Sequence, residues 1–520
     1  MNTTFESIHE KDILGKLTCV DRMIFNGYLN RFFGGGMATY LAMQGVLLKD
    51  FGRYAEKVTG AIKEHAQKIA ADAGRPYIYL RKTMTRARGG SKEDLARKIA
   101  ERDGIQEGLI CILGAVELRN SFDVAGNHET HKLEVRHRIR PCLHLYFYFI
   151  HPELGFMHVR LQTWFPFEIQ VYVNGREWLC RQLDKRGLGY VRHDNTLLRL
   201  EDVAKTQELA DTFATQNWPR VLNALARRVN PYLRTILKAQ WSGYYWVADE
   251  CEVATDVMFK NRARLTEVWP DLMAHATRAF SAEDVMRFLG RKLSPNFQGE
   301  VVSKTQRRPE GWRVKHRMKR NWIKMYDKWS VLRVETTINN PSEFKVLRVV
   351  DTPEGRTRKW KPMGKGVANL WRYLQVGTQA NLRYLEALAQ VQPTAKAVQE
   401  LDGLCHGLIN NGRRFGRFLP LAAEDTELFK AALAGDHIIH GFRNRNITAR
   451  LYPAPSTTPE EIKRRCARVS RLIAKLRGHR LIGKVKGSRL YRVSPRGYRL
   501  MSAAIRIREA DFPAAARMAS

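Results

Sequence analysis

Between Gly441 and Leu500 the chain carries 17 lysines and arginines against two acids, Glu460 and Glu461, a local net charge of +15. Burying even a few of those cations unpaired would cost more than a small domain gains by folding. The segment must therefore keep a thin apolar core on one side of its helices and turn its charge outward. A helix is predicted over Arg443 to Leu451, followed by a turn marked by Pro453 and Pro455. Thr458-Pro459-Glu460-Glu461 supplies an N-cap, a proline in the first turn and acids at the positive end of the helix dipole. A second, long helix runs from there to about Arg477. Short strands follow at Leu481 to Lys486 and Arg489 to Val493, joined at Gly487-Ser488, and a last helix opens at Ser494-Pro495. Helix, helix, strand, strand, helix is the order of a winged helix-turn-helix. Ile462, Val469, Ile473 and Leu476 fall on one face of the long helix, and Lys463, Arg464, Arg468, Arg471 and Lys475 cover the rest. That division suits a helix that enters the major groove of DNA. The expected contacts are Arg464, Arg468, Arg471 and Lys475 on the helix, with Lys484, Lys486 and Arg489 on the wing. A small basic domain that docks on protein is the alternative.

The imbalance extends over all 520 residues, with 88 Lys and Arg against 52 Asp and Glu, a formal net charge of +36. A field of that sign draws polyanions and repels a second copy. Basic clusters at Arg81 to Arg88, Arg136 to Arg140, Arg307 to Arg320 and Arg356 to Lys365 spread the charge along the chain. Several domains are thus expected to face nucleic acid, with DNA first and RNA as the alternative partner. Apolar residues make up 44%, enough for large cores. The seven cysteines are scattered and form no CxxC, which argues against a zinc knuckle and for reduced thiols in the cytoplasm. No signal-peptide pattern opens the chain, and the longest apolar run, Leu143 to Ile150 apart from His144, is too short to cross a bilayer. The expectation is a cytoplasmic, nucleoid-associated protein without a membrane partner.

The pattern along the chain predicts an α+β fold: two antiparallel strand-rich blocks with flanking helices, plus the C-terminal winged helix. Residues 1–103 read as helical, with a capping box at Ser91-Lys92-Glu93-Asp94. The first block occupies 104–215, with strands at Leu109 to Val116, Leu133 to Ile139, Leu143 to Ile150 and Met157 to Trp164. The second occupies 216–350, with a strand at Tyr244 to Phe259 and a meander from Glu300 to Ile338. A helical connector spans 351–435, and the winged helix closes the chain over 436–520.

Two sheet faces attract chemical interest. If Trp329-Ser330 is a two-residue turn, Lys324 faces Glu335 and Tyr326 faces Arg333, so all four share one exposed face while Met325 and Val334 are buried. In that register Asp327 and Glu335 point to opposite faces and do not share an ion. Lys315 precedes this hairpin and adds another cation. In the first block His144, Tyr146 and Tyr148 share a strand face, as do His158, Arg160 and Gln162 on the next strand. Paired across the intervening loop, they would form a stacking platform for single strands or, through the histidines, a metal site. Solvated polar faces and hydrogen-bonded histidines are the plain alternatives. Glu250, Glu252 and Asp256 alternate onto one side of a strand, and carboxylates converging from strands build metal sites for phosphoryl transfer. The candidate catalytic set is therefore Glu250, Glu252, Asp256 and Glu335 with Mg²⁺ or Mn²⁺, and Tyr326 as an alternative nucleophile.

Several runs carry a resemblance: Arg308-Pro309-Glu310-Gly311, Lys324-Met325-Tyr326-Asp327-Lys328, and Val331-Leu332-Arg333-Val334-Glu335-Thr336-Thr337-Ile338-Asn339. Gly155-Phe156-Met157-His158, Gln162-Thr163-Trp164-Phe165-Pro166-Phe167, Asn174-Gly175-Arg176-Glu177-Trp178 and Gly441-Phe442-Arg443-Asn444-Arg445 extend it over nearly the whole chain. The sequence resembles a family of uncharacterised, mobile-element-like bacterial proteins, a resemblance that implies no particular activity. More loosely, the Tyr-Asp-Lys and Leu-Arg-Val-Glu pattern is similar to the C-terminal halves of phage and plasmid replication initiators. Their His-apolar-His motif is replaced here by His144-Leu145-Tyr146. The combined expectation is a nucleic-acid-binding protein of a mobile element that processes DNA strands as a nuclease, transposase or replication initiator. As an enzyme it would be a metal-dependent nuclease or strand transferase. The alternative is a non-enzymatic DNA- or RNA-binding protein, a regulator or an RNA partner.

Overall fold

Long strands, several of them buried on both faces, organise the chain. The computed structural model describes residues 4–80, 91–239, 242–291, 301–309, 311–352, 355–389, 401–410, 412–435, 437, 441–455, 458–485 and 487–511. It is a mixed α/β protein with strands in a large mixed sheet and helices flanking them. Two compact units divide it, and both are discontinuous in sequence: Leu17–Val253 with Thr337–Gln375, and Met1–Lys16 with Ala254–Thr336 and Val376–Ser520. No helix among the described residues is long and apolar enough to cross a membrane.

In the first unit the strands are β1 (Ile13–Tyr28), β2 (Tyr77–Tyr79), β3 (Gly108–Gly126), β4 (Leu133–His151), β5 (Gly155–Gln162), β6 (Ile169–Asn174) and β7 (Tyr245–Phe259). Their order is β7-β1-β6-β5-β4-β3-β2. Strands β2 and β3 run parallel, whereas β3 to β6 pair antiparallel in sequence order. β1 is a long strand in a region expected to be mostly helical, which also holds helices at Gly36–Met43, Phe51–Asp72 and Lys92–Arg102. Leu17, Cys19, Met23 and Phe25 are buried at alternate positions, the period of a strand. The two strands expected at Leu133 to Ile139 and Leu143 to Ile150 are one, because Pro141 is accommodated opposite Leu118 without breaking the pairing. Helix α1 (Lys92–Arg102) begins at the expected capping box, Ser91 with Asp94. Its Ala96, Ile99 and Ala100 pack on Ile110, Leu113, Tyr146, Tyr148 and Phe156.

In the second unit the order is β8-β9-β10-β11-β7, with β8 (Val301–Arg308), β9 (Gly311–Met318), β10 (Asn321–Lys328) and β11 (Val331–Ile338). Trp329 takes a left-handed φ of 57° in the two-residue turn joining β10 to β11. Helices α2 (Arg262–Arg278), α3 (Ala282–Phe288) and α4 (Leu370–Leu388) lie against this part of the fold. Tyr384 of α4 packs on Phe280, Phe288 and His316. Deep in the unit, Arg333 Nε lies 2.8 Å from Asp256 Oδ1 and Nη2 lies 3.2 Å from Oδ2, with both side chains fully buried. This is a bidentate pair, the geometry in which guanidinium and carboxylate offset each other's desolvation best.

Strands β12 (Lys345–Thr352) and β13 (Gly355–Pro362) form a separate two-stranded ribbon in the first unit. The C-terminal part of the second unit gathers helices α5 (Ala423–Ala432), α6 (Asn444–Leu451), α7 (Pro459–Gly478) and α8 (Pro495–Arg506). Between α7 and α8 lies a small hairpin, β14 (Ile482–Lys484) and β15 (Tyr491–Val493). One core of Phe429, Phe442, Ile447, Val469, Ile473, Leu476, Ile482 and Leu500 holds these elements together. Phe442 exchanges two backbone hydrogen bonds of 2.8 Å with Tyr491, adding a third short extended segment to the hairpin. Gly441 allows this approach: it has φ 72°, and a Cβ there would stand 2.5 Å from the Tyr491 carbonyl oxygen.

Asp256→Ala leaves the Arg333 guanidinium buried without a counter-charge and is expected to cost about 3–5 kcal/mol of stability. Urea denaturation followed by tryptophan fluorescence measures this. A drop under about 1 kcal/mol would mean that the pair is not buried as described.

Candidate nucleic-acid interface

The cations of α7 are sorted by what its inner face needs. Val469, Ile473 and Leu476 are buried, as their spacing predicts. Arg464, Arg468, Arg471 and Lys475 recur at steps of four, three and four residues, which at about 100° per residue makes one stripe nearly opposite them. Ile462 departs from expectation. It is 52% exposed, because the first turn of α7 projects beyond the core that covers the later turns. Thr458 caps the helix, its hydroxyl accepting from the Glu461 amide at 3.3 Å.

Within the stripe the four cations differ. Lys475 Nζ lies 3.9 Å from the centre of the Phe418 ring and 3.3 Å from Asp425, so it ties α7 to α5. Arg468 reaches Glu424 at 3.4 Å but remains exposed. Lys463, Arg464, Arg471 and Arg477 are exposed and, among the described residues, form no ion pair. The same holds for Lys484 and Arg489 on the hairpin, while Lys486 lies outside the described residues, as does the cluster Arg81 to Arg88. Gly487 takes φ 70° at the hairpin tip.

The face of β10 and β11 differs from expectation in exposure but not in register. Lys324 and Glu335 do meet, at 2.5 Å, as a two-residue turn requires. Asp327 accepts from the Trp312 amide. Yet Lys324, Tyr326, Arg333 and Glu335 are all at least 93% buried. Each charge is matched by a neighbour, Arg333 by Asp256 and Lys324 by Glu335, and that is what allows the face to be covered. Toward the edge of the sheet it opens. Lys304, Lys315 and Lys324 stand side by side on β8, β9 and β10, grading from exposed to half-buried to buried. Lys315 Nζ sits 4.0 Å over the Trp322 ring.

In the first unit, Tyr146 pairs with Arg160, Tyr148 with His158 and His144 with Gln162, so the two strands do pair across the loop and the six residues lie together. The platform is closed to bases. Helix α1 packs over Tyr146 and Tyr148, and His144 and Arg160 are buried. Glu117 gathers the polar ends: it accepts from Lys92 Nζ at 2.6 Å and from the Tyr146 hydroxyl, with Arg160 at 3.6 Å. Bonds from Lys92 and Tyr146 overcome the cost of burial and hold the Glu117 carboxyl at about 2. Burial, with Arg160 adding to it, pushes His144 down to about 4, so the imidazole is neutral at pH 7 and carries no charge to a phosphate.

The candidate acids are engaged. Arg22 of β1 lies 2.7 Å from Glu250 and 3.1 Å from Glu252, and Glu252 also accepts from the Thr337 hydroxyl at 2.6 Å. Asp21, hidden from a sequence reading that makes this region helical, pairs with the buried Arg176 at 2.7 Å. Carboxylate oxygens of Asp21 and Glu252 come within 4.8 Å of each other, close enough to hold a cation, though each already faces a guanidinium. The ribbon carries most of the basic cluster expected at Arg356 to Lys365 and is a second charged surface. Lys345, Arg348, Arg356, Arg358, Lys359 and Lys361 stand there against Asp351, with Trp360 55% and Val349 60% exposed. Compared with family models, curated proteins and solved structures, the chain matches none.

A neutral buried histidine makes stability depend on acidity. The His144 value of about 4 lies below the ordinary 6.5, so the unfolded chain takes up the proton first and stability falls as pH drops from 6.5 toward 4. By pH 5 this one residue is expected to remove about 2 kcal/mol. His144→Gln should flatten the pH dependence of the urea midpoint between pH 7 and 5. An unchanged slope would contradict the buried, neutral assignment.

Proposed function

We propose that the protein binds duplex DNA through its C-terminal module, read as a winged helix. In this reading α7 lies in the major groove, and the β14–β15 hairpin rests on the neighbouring backbone. The observation that carries it is the pair Arg464 and Arg471, exposed and without an ion pair among the described residues, on the side of α7 opposite its sealed apolar face. Lys463, Arg477, Lys484 and Arg489 extend that charge, and the extended segment at Phe442 that braces the hairpin fits a winged helix. The ribbon β12–β13 supports the same partner, since a two-stranded ribbon of this kind also fits a major groove. Binding is favoured over strand cleavage because Glu250, Glu252, Asp256 and Glu335 each already face a lysine or arginine. The protein would then act as a DNA-binding component of the mobile-element kind that its sequence resembles.

The test is fluorescence anisotropy of the full chain with a labelled duplex over a range of salt. Wild type should bind with a steep salt dependence. Arg464→Ala with Arg471→Ala should reduce the log–log slope by about 1.8, roughly 0.9 for each phosphate that the variant no longer neutralises. Lys475→Met should leave the slope unchanged while lowering stability. Duplex RNA of the same sequence should bind more weakly, because its major groove is too narrow for a helix. No binding of any duplex, or an unchanged slope in the double variant, would refute the reading.

A further inference from the structure

The second unit holds a cavity of about 400 Å³, bordered by α2 and α3 on one side and by α5, α6 and α8 on the other. That size suits a small organic ligand. Its lining is unusual in what it leaves unmatched. Five Lys and Arg side chains face three carboxylates. Two of those carboxylates are already occupied: Asp271 pairs with Arg506 at 2.7 Å, and Glu509 with Lys430 at 2.5 Å. Arg278 and Arg450 also line the cavity, and among the described residues neither forms an ion pair. Phe280, Leu433 and Ile505 supply apolar surface between these groups.

We propose that this cavity binds a nucleoside phosphate. The phosphate is held by Arg278 and Arg450, which present guanidinium forks to its oxygens. The base lies against Phe280 and the aliphatic wall. A plain phosphate would leave the apolar wall unused, and a plain apolar ligand would leave the two arginines unused. The site is independent of the duplex-binding reading. A free nucleotide and the terminal nucleotide of a strand present the same chemistry, and the experiment separates them.

Isothermal titration calorimetry of the full chain uses AMP, GMP, CMP and UMP, the matching nucleosides, inorganic phosphate and a 5′-phosphorylated oligonucleotide. Arg278→Ala and Arg450→Ala serve as variants. Both arginines are exposed, so circular dichroism should report an unchanged fold. At least one mononucleotide is expected to bind more tightly than its nucleoside or phosphate alone, and each variant should weaken it about tenfold or more. Binding of the 5′-phosphorylated oligonucleotide alone, weakened in the same variants, supports the site with a strand end as its occupant. No binding of any nucleotide, or binding of equal strength in wild type and both variants, overturns the proposal.

Discussion

Carboxylates are the scarce resource in this chain, 52 of them among 88 lysines and arginines, and where they are placed decides what the rest of the surface can do. In each unit the buried cations claim them first. Arg333 takes Asp256, Lys324 takes Glu335 and Arg176 takes Asp21, while the half-exposed Arg22 holds Glu250 and Glu252. An unpaired charge in such a position is strongly destabilising, so these acids cannot be released to neutralise the surface without loss of the fold. The excess positive charge is left on exposed elements, and the proposed DNA partner would relieve it.

The C-terminal module shows how sharply this sorting can fall within a single helix. Lys475 and Arg471 are four residues apart on one stripe of α7. Lys475 is held down by Asp425 and the Phe418 ring, whereas Arg471 has no such partner among the described residues. The first contributes to packing and the second to the outward field. A similar gradient runs across Lys304, Lys315 and Lys324, where each step into the sheet trades solvent for a ring or a carboxylate.

Local features are legible in the sequence because local chemistry sets them. The caps at Ser91 and Thr458, the two-residue turn at Trp329-Ser330 and the strand faces shared by His144, Tyr146 and Tyr148 and by His158, Arg160 and Gln162 all follow from short-range pattern. Exposure is not legible, because it depends on what a distant segment lays over a face. Nothing in His144 to Tyr148 announces that α1, some fifty residues earlier, covers it. The alternation in β1 is present in the sequence, yet a helical reading of residues 1–103 passes over it. With it go Asp21 and Arg22, the residues that explain the engaged acids. Ile462 obeys the helical period and is exposed all the same, because periodicity gives a direction and not the extent of the core.

The central claim is that uncompensated cations on α7 and its hairpin meet DNA. Hydrogen–deuterium exchange of the full chain, with and without a saturating duplex, tests it most directly. The account predicts slower exchange confined in the C-terminal module to peptides covering Lys463 to Arg477 and Lys484 to Arg492, with the buried strand Val331 to Ile338 unchanged. Saturated binding with no protection in either of those peptides would contradict it.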